Sequence, residues 1–154
     1  MPYFEQVIEI SAPVERVFAA LTDPKRGYDW NPNIVDVSDI EAYPPREGTS
    51  WRQVIMVAGR ATNLQCQIVQ WDPPRQGELR VSGDQRATVW TRCTAHNHDT
   101  HVVQAMEFAV PGGALGKLAE GMIRGALQRE VKQTLQRQKE ILEREHREES
   151  SSPV

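Results

Sequence analysis

Apolar and polar side chains alternate along the chain as far as residue 110, and a spacing near 3.6 replaces that alternation beyond it. Residues 3–10 set Phe4, Ile8 and Ile10 against Glu5 and Glu9, which predicts a first strand. Ser11-Ala12-Pro13-Val14-Glu15 then opens a helix, with Ser11 as the expected N-cap and Pro13 and Glu15 suited to a first turn. Val14, Val17, Phe18 and Leu21 recur on one face of it. Thr22-Asp23-Pro24 ends it, because a residue before proline is pushed out of the α region. Residues 24–30 read as a second short helix, closed by Asn31-Pro32-Asn33.

Six further strands follow, at 34–42, 49–57, 60–71, 78–82, 87–95 and 101–110, separated by turns rich in Pro, Gly and Asp. Pro111-Gly112-Gly113 breaks the last of them, and a long helix over 114–146 comes next. Leu115, Leu118, Ala119, Met122, Ile123, Ala126, Leu127, Val131, Leu135 and Leu142 trace an apolar stripe along it. Its last third is mostly polar, with pairs such as Lys139–Glu143, and is expected to project into solvent or to meet the second copy of a homodimer. Residues 148–154 read as a disordered tail, leaving one domain over 1–147. Strands joined by short turns imply antiparallel pairing, and one amphipathic helix has to cover the apolar face they share. The expected class is α+β: a seven-stranded antiparallel sheet wrapped around a long C-terminal helix, with two short helices after the first strand. This is the helix-grip architecture, and its usual consequence is a cavity between sheet and helix.

Composition narrows the function classes. A length of 154 residues suits one domain, and 25% charged residues excludes wholesale disorder. A net charge of -3 argues against a nucleic-acid partner, since such domains are usually strongly basic. No stretch approaches the roughly 18 apolar residues of a transmembrane segment, and the first ten residues lack the basic start of a signal peptide. The expected location is therefore cytoplasmic, with Cys66 and Cys93 as reduced, buried thiols rather than a disulfide.

Several short motifs recur in a recognisable order: Ile10-Ser11-Ala12-Pro13-Val14-Glu15-Arg16-Val17-Phe18, Leu21-Thr22-Asp23-Pro24, Trp30-Asn31-Pro32, Gly48-Thr49, Asp72-Pro73-Pro74-Arg75, and Pro111-Gly112-Gly113 leading to Gly116-Lys117-Leu118. Each is turn and capping chemistry, but the ordered set spans nearly the whole chain. The sequence thereby resembles the polyketide cyclase/dehydrase and lipid-transport proteins of the START-like superfamily, also called SRPBCC or birch-pollen-allergen-like. The resemblance implies a hydrophobic-ligand cavity, not a reaction. Family cyclases are understood to work by shaping a substrate inside the pocket, so a missing catalytic triad does not exclude that chemistry.

Candidate chemistry is sparse. His96-Asn97-His98-Asp99-Thr100-His101 has donors for zinc, but a polar hairpin turn is the favoured reading, and no metal or cofactor is expected. No nucleophile-elbow, phosphate-loop or zinc-protease motif is present. Asp29, Asp72 and Glu107 are the candidate carboxylates, of which Asp72 belongs to a turn and Glu107 is expected to face outward. Alternation places Gln104 with Met106, Phe108 and Val110, and Gln53 with Trp51. The expected ligand-binding set is therefore Trp51, Gln53, Gln104, Met106, Phe108 and Val110 on the sheet, with Leu115, Leu118, Met122 and Ile123 as helix wall. Gly125, like Gly121, would leave room between them, and Trp30 would stand at the entrance. Binding of a small hydrophobic molecule is the first reading. A polyketide cyclase or dehydratase and a protein-binding module are the alternatives. An inward Arg, Tyr or His would favour the enzyme, an apolar cavity the carrier, and a filled one the protein-binding module.

Overall fold

The structure, a computed structural model, describes residues 1–57, 59–110 and 116–151, with side chains in the last segment from 119 onward. Strand β1 (Tyr3–Ile10) leads into helix α1 (Val14–Leu21), a 3-10 turn (Pro24–Arg26) and a one-turn helix α2 (Gly27–Trp30). Strands β2 (Ile34–Glu41), β3 (Ser50–Val57), β4 (Arg60–Asp72), β5 (Gln76–Gly83), β6 (Ala87–His96) and β7 (Asp99–Phe108) follow, and helix α3 (Gly116–Ser150) ends the order. The predicted break at 111–113 lies outside the described residues. The sheet order is β1-β7-β6-β5-β4-β3-β2, and every neighbouring pair is antiparallel. Sequential hairpins generate all of it except the β1–β7 pair, which joins the first strand to the last.

β2 is the irregular edge. Its pairing with β3 slips between Ile34 and Asp36 and again between Ser38 and Glu41, and Asp39 takes a φ of 53°. His96 pairs with Asp99 across a tight β6–β7 turn, where Asn97 has a φ of 58°, a conformation asparagine tolerates well. The histidine run is thus a hairpin turn, as its Asn and Asp content suggested.

Two apolar clusters fix the layers. One joins Ile10, Val17, Phe18, Trp30, Cys93, Val102, Leu135 and Leu142, so it ties α1 and α2 to the C-terminal half of α3. The other holds Trp51, Leu64, Cys66 and Ile68 on the sheet, and Trp71 packs against both. Both cysteines are free and buried, as expected.

Three sequence expectations need correction. Pro13 is the N-cap of α1 and no side chain caps it; the Ser11 N–H instead donates to Glu143 Oε2 at 2.8 Å. The polar last third of α3 does not project, because Leu142 is fully buried and two arginines hold the helix down. Arg26 makes a two-pronged pair with Glu145, its Nη2 lying 2.7 Å from Oε2, while Arg16 reaches Glu145 and Glu149. For the same reason residues 148–150 continue the helix rather than opening a disordered tail.

Candidate functional site

Strand register lays the cavity floor down in rows. Across β5, β6 and β7 the inward residues pair as Val81–Ala87–Phe108, Leu79–Val89–Met106 and Gly77–Thr91–Gln104. Trp51, Gln53, Leu64, Cys66, Ile68 and Trp71 extend the floor onto β3 and β4. α3 roofs it with Ile123, Ala126, Leu127 and Val131, then Thr134 and Gln138. Between floor and roof lies a cavity of about 850 Å³. Of its exposed lining residues, Val57, Gly83, Asp84, Gln85, Arg86 and Ala109 gather where β3, β5 and β7 end, and that end is the mouth, while Ala126 lies on α3. The opposite end closes on the packed Cys93–Val102 pair and on Leu135 and Leu142 of α3.

Most of the expected ligand-binding set is brought together: Trp30, Trp51, Gln53, Gln104, Met106, Phe108, Val110 and Ile123 all line the cavity. Trp30, however, is 4% exposed and forms part of the inner wall, not the entrance. The Arg26 guanidinium covers its ring at 4.9 Å, and its carbonyl accepts a hydrogen bond from Arg137 Nη1 at 3.1 Å. Met122 is 78% exposed and is no part of the wall. A side chain at Gly125 would meet only Arg129, at 3.7 Å, and one at Gly121 would meet nothing within 4 Å. Neither glycine leaves ligand space or lets the helix approach the sheet. At 100° per residue Met122, Gly125 and Arg129 share a face that points away from the one carrying Ile123, Leu127, Val131, Thr134 and Gln138. Leu115 lies outside the described residues, as does the Leu118 side chain.

Sequence reasoning missed Leu64, Ile68, Trp71, Leu79, Val81, Val89 and Thr91 on the sheet side. Their alternation was visible, and pairing them row by row across three hairpins would have found them. Thr134 and Gln138 interrupt the apolar stripe at helical spacing, which was the available signal for them.

The lining is polar in amides and hydroxyls and poor in proton-transfer groups. Among the described residues it contains no histidine or tyrosine, and its one arginine, Arg86, is exposed at the mouth. The four carboxylates touching it are Asp23, Glu78, Asp84 and Glu130. Three are engaged: Glu78 accepts the Trp90 indole N–H at 2.6 Å, Asp84 accepts the Asn63 N–H at 2.8 Å, and Asp23 accepts the Lys25 N–H at 2.9 Å and the Tyr43 hydroxyl at 2.8 Å. Trp51 donates its indole N–H to Gln53 Oε1 at 3.2 Å, so the amide is held in place by the ring beside it. Burial pushes the Cys66 thiol up to about 12, so it is not a thiolate nucleophile at neutral pH. Of the candidate carboxylates, Asp29 pairs with Arg26, Asp72 pairs with Arg75, and Glu107 does not line the cavity. Among the described residues no cluster of His, Cys, Asp and Glu has the arrangement of a metal centre.

Fold and cavity together define a helix-grip protein built around an internal, mostly apolar chamber. The chain belongs to the polyketide cyclase/dehydrase and lipid transport family, whose model matches residues 1–143. Its structure is similar to that of a Thermus thermophilus protein, with a TM-score of 0.79 at 19% identity, covering 98% of this chain and 100% of that one. It is similar also to the Zhui aromatase/cyclase from a Streptomyces species, with a TM-score of 0.79 at 18% identity over 93% of this chain and 94% of that one. A third match is the di-domain aromatase/cyclase StfQ of the steffimycin biosynthetic pathway, with a TM-score of 0.78 at 14% identity over 93% of this chain and 51% of that one. Comparison with curated protein sequences finds no match. No described helix is long and apolar enough to cross a membrane.

Proposed function

We propose that the protein binds a small, largely apolar molecule, lipid-like or aromatic and polyketide-like, in the chamber between sheet and α3. One observation carries the reading: a space of about 850 Å³ walled by apolar side chains from both layers. That volume lies within the range of about 300–1,000 Å³ typical of small-molecule pockets. Affinity would come from apolar burial, with a few fixed polar groups setting orientation. Cyclisation or dehydration of a polyketide-like substrate in the same chamber is the second reading, and membership of the family supports it. The lining favours binding over catalysis, because a general acid or base has to reach the reacting atoms. Three of the four lining carboxylates are held by hydrogen bonds to the protein, and the innermost floor row offers only an amide and a hydroxyl.

N-phenyl-1-naphthylamine, a neutral dye that brightens in apolar surroundings, tests this directly. Val89 faces the chamber and belongs to neither packed cluster, so Val89→Trp fills ligand space without replacing a core contact. The wild type is expected to bind the dye saturably at one site. Val89→Trp is expected to bind it at least tenfold more weakly while melting within a few degrees of wild type. Unchanged dye binding in a folded Val89→Trp variant would reject the chamber as the site.

A further inference from the structure

Across β5, β6 and β7 the polar floor groups gather at one end, whereas Gln53 on β3, in the row with Leu64 and Gly83, lies toward the mouth with its Oε1 taken by the Trp51 indole N–H. On those three strands the two rows nearer the mouth are wholly apolar, Val81–Ala87–Phe108 and Leu79–Val89–Met106, and the innermost row is Gly77–Thr91–Gln104. The roof repeats the gradient: Ile123, Ala126, Leu127 and Val131 are followed by Thr134 and Gln138. β7 and α3 run in opposite directions along the chamber, so the inner row and the Thr134–Gln138 turn lie at the same closed end. Gln138 is 4% exposed, and its Oε1 has no hydrogen-bond partner among the described residues. A buried, unpartnered amide carries a desolvation cost that a bound polar group would recover. The amide can turn about its last torsion, so it can accept from or donate to that group.

We infer that the closed end is a subsite for an uncharged polar terminus, a hydroxyl above all, and that the ligand enters with this end first and its apolar body toward the mouth. The inference rests on the binding reading above and adds the ligand's class and direction to it. Thr91, Gln104, Thr134 and Gln138 supply two hydroxyls and two amides, a set that matches a neutral group able both to donate and to accept. A carboxylate or phosphate is disfavoured. The lining's one described cation is Arg86, at the far end, and Glu130 sits on the roof between them. An anion buried there would lack a partner.

Displacement of N-phenyl-1-naphthylamine by naphthalene, 2-naphthol, 2-methoxynaphthalene and 2-naphthoate tests the subsite. Wild-type protein is expected to bind 2-naphthol about tenfold more tightly than naphthalene, the worth of one well-made hydrogen bond. 2-Methoxynaphthalene and 2-naphthoate are expected to bind no better than naphthalene. Gln138→Met keeps the side-chain length and removes the amide, while Thr91→Val removes a hydroxyl. Each is expected to weaken 2-naphthol binding more than naphthalene binding, so that the tenfold preference narrows. If wild type binds naphthalene and 2-naphthol equally, or binds 2-naphthoate best, the subsite is rejected and the chamber stands. An equal loss of both ligands in the two variants also rejects it, since that is what a merely structural role would produce. If the dye itself fails to bind wild type, the chamber reading falls and the subsite with it.

Discussion

Glu143 holds two elements together with one carboxylate, accepting the Ser11 N–H at 2.8 Å and pairing with the Lys139 ammonium at 2.6 Å. Burial acts to raise its pKa, but those two partners outweigh burial and hold the carboxyl below its ordinary 4.5. A carboxyl lowered by folding contributes stability that is present above its unfolded value and lost as pH falls through the folded one. Melting curves from about pH 6 to about pH 3 are therefore expected to show wild type losing more stability than Glu143→Gln once the pH drops below about 4.5. Parallel loss in the two proteins would remove Glu143 from the acid limb. Contacts of this kind were invisible in the sequence, because Ser11 and Glu143 lie at opposite ends of the chain. Gln53 and Gln104 were legible, since period-two alternation fixes which side of a strand a residue faces. Met122 and Gly125 were misplaced for a related reason: an apolar or missing side chain in a helix does not declare which face the rest of the molecule will cover.

Among the elements, α3 departs furthest from its own pattern. Its apolar stripe thins after Val131, yet the helix stays docked as far as Leu142, because Leu135 and Leu142 are fully buried among residues of α1, α2, β1 and β7, and its exposed last turn runs on to Ser150. The ion pairs that Arg16 and Arg26 make with Glu145 are partly exposed and are worth about 0–1 kcal/mol each, and Glu149 reaches Arg16 from solvent. Burial, not charge, does most of the docking. Leu142→Ala is expected to cost about 2–5 kcal/mol in chemical denaturation. A cost below about 1 kcal/mol would mean that the charged contacts carry the helix end instead. The strands and their turns were legible because Pro, Gly and Asp act locally. The docking of the helix end was not, because its partners are a few apolar side chains and two arginines more than a hundred residues away.

At the scale of the molecule, an open chamber of about 850 Å³ forgoes contacts that a filled core would make. Any molecule that fills it in the folded state alone raises stability by mass action, about 2.7 kcal/mol at a hundred times its Kd. N-phenyl-1-naphthylamine is therefore expected to raise the melting temperature of wild type in proportion to the logarithm of its concentration. The Val89→Trp variant should respond far less, and equal responses would place the dye elsewhere. The fold was legible at this scale from one switch in periodicity and the order of short turns. The chamber's polar end was not, because it exists only when three hairpins and a distant helix turn come into register. The irregular strand β2 has a different bearing on the whole molecule. It is the rim of an open sheet, the place where a foreign strand could add and begin an aggregate. Two register slips, a left-handed Asp39 and the acidic Asp36 and Glu41 break the ladder that such a strand would copy. At the other rim α3 packs against β1. The sheet can therefore stay open enough to surround a guest without its edge recruiting neighbouring chains into a fibre.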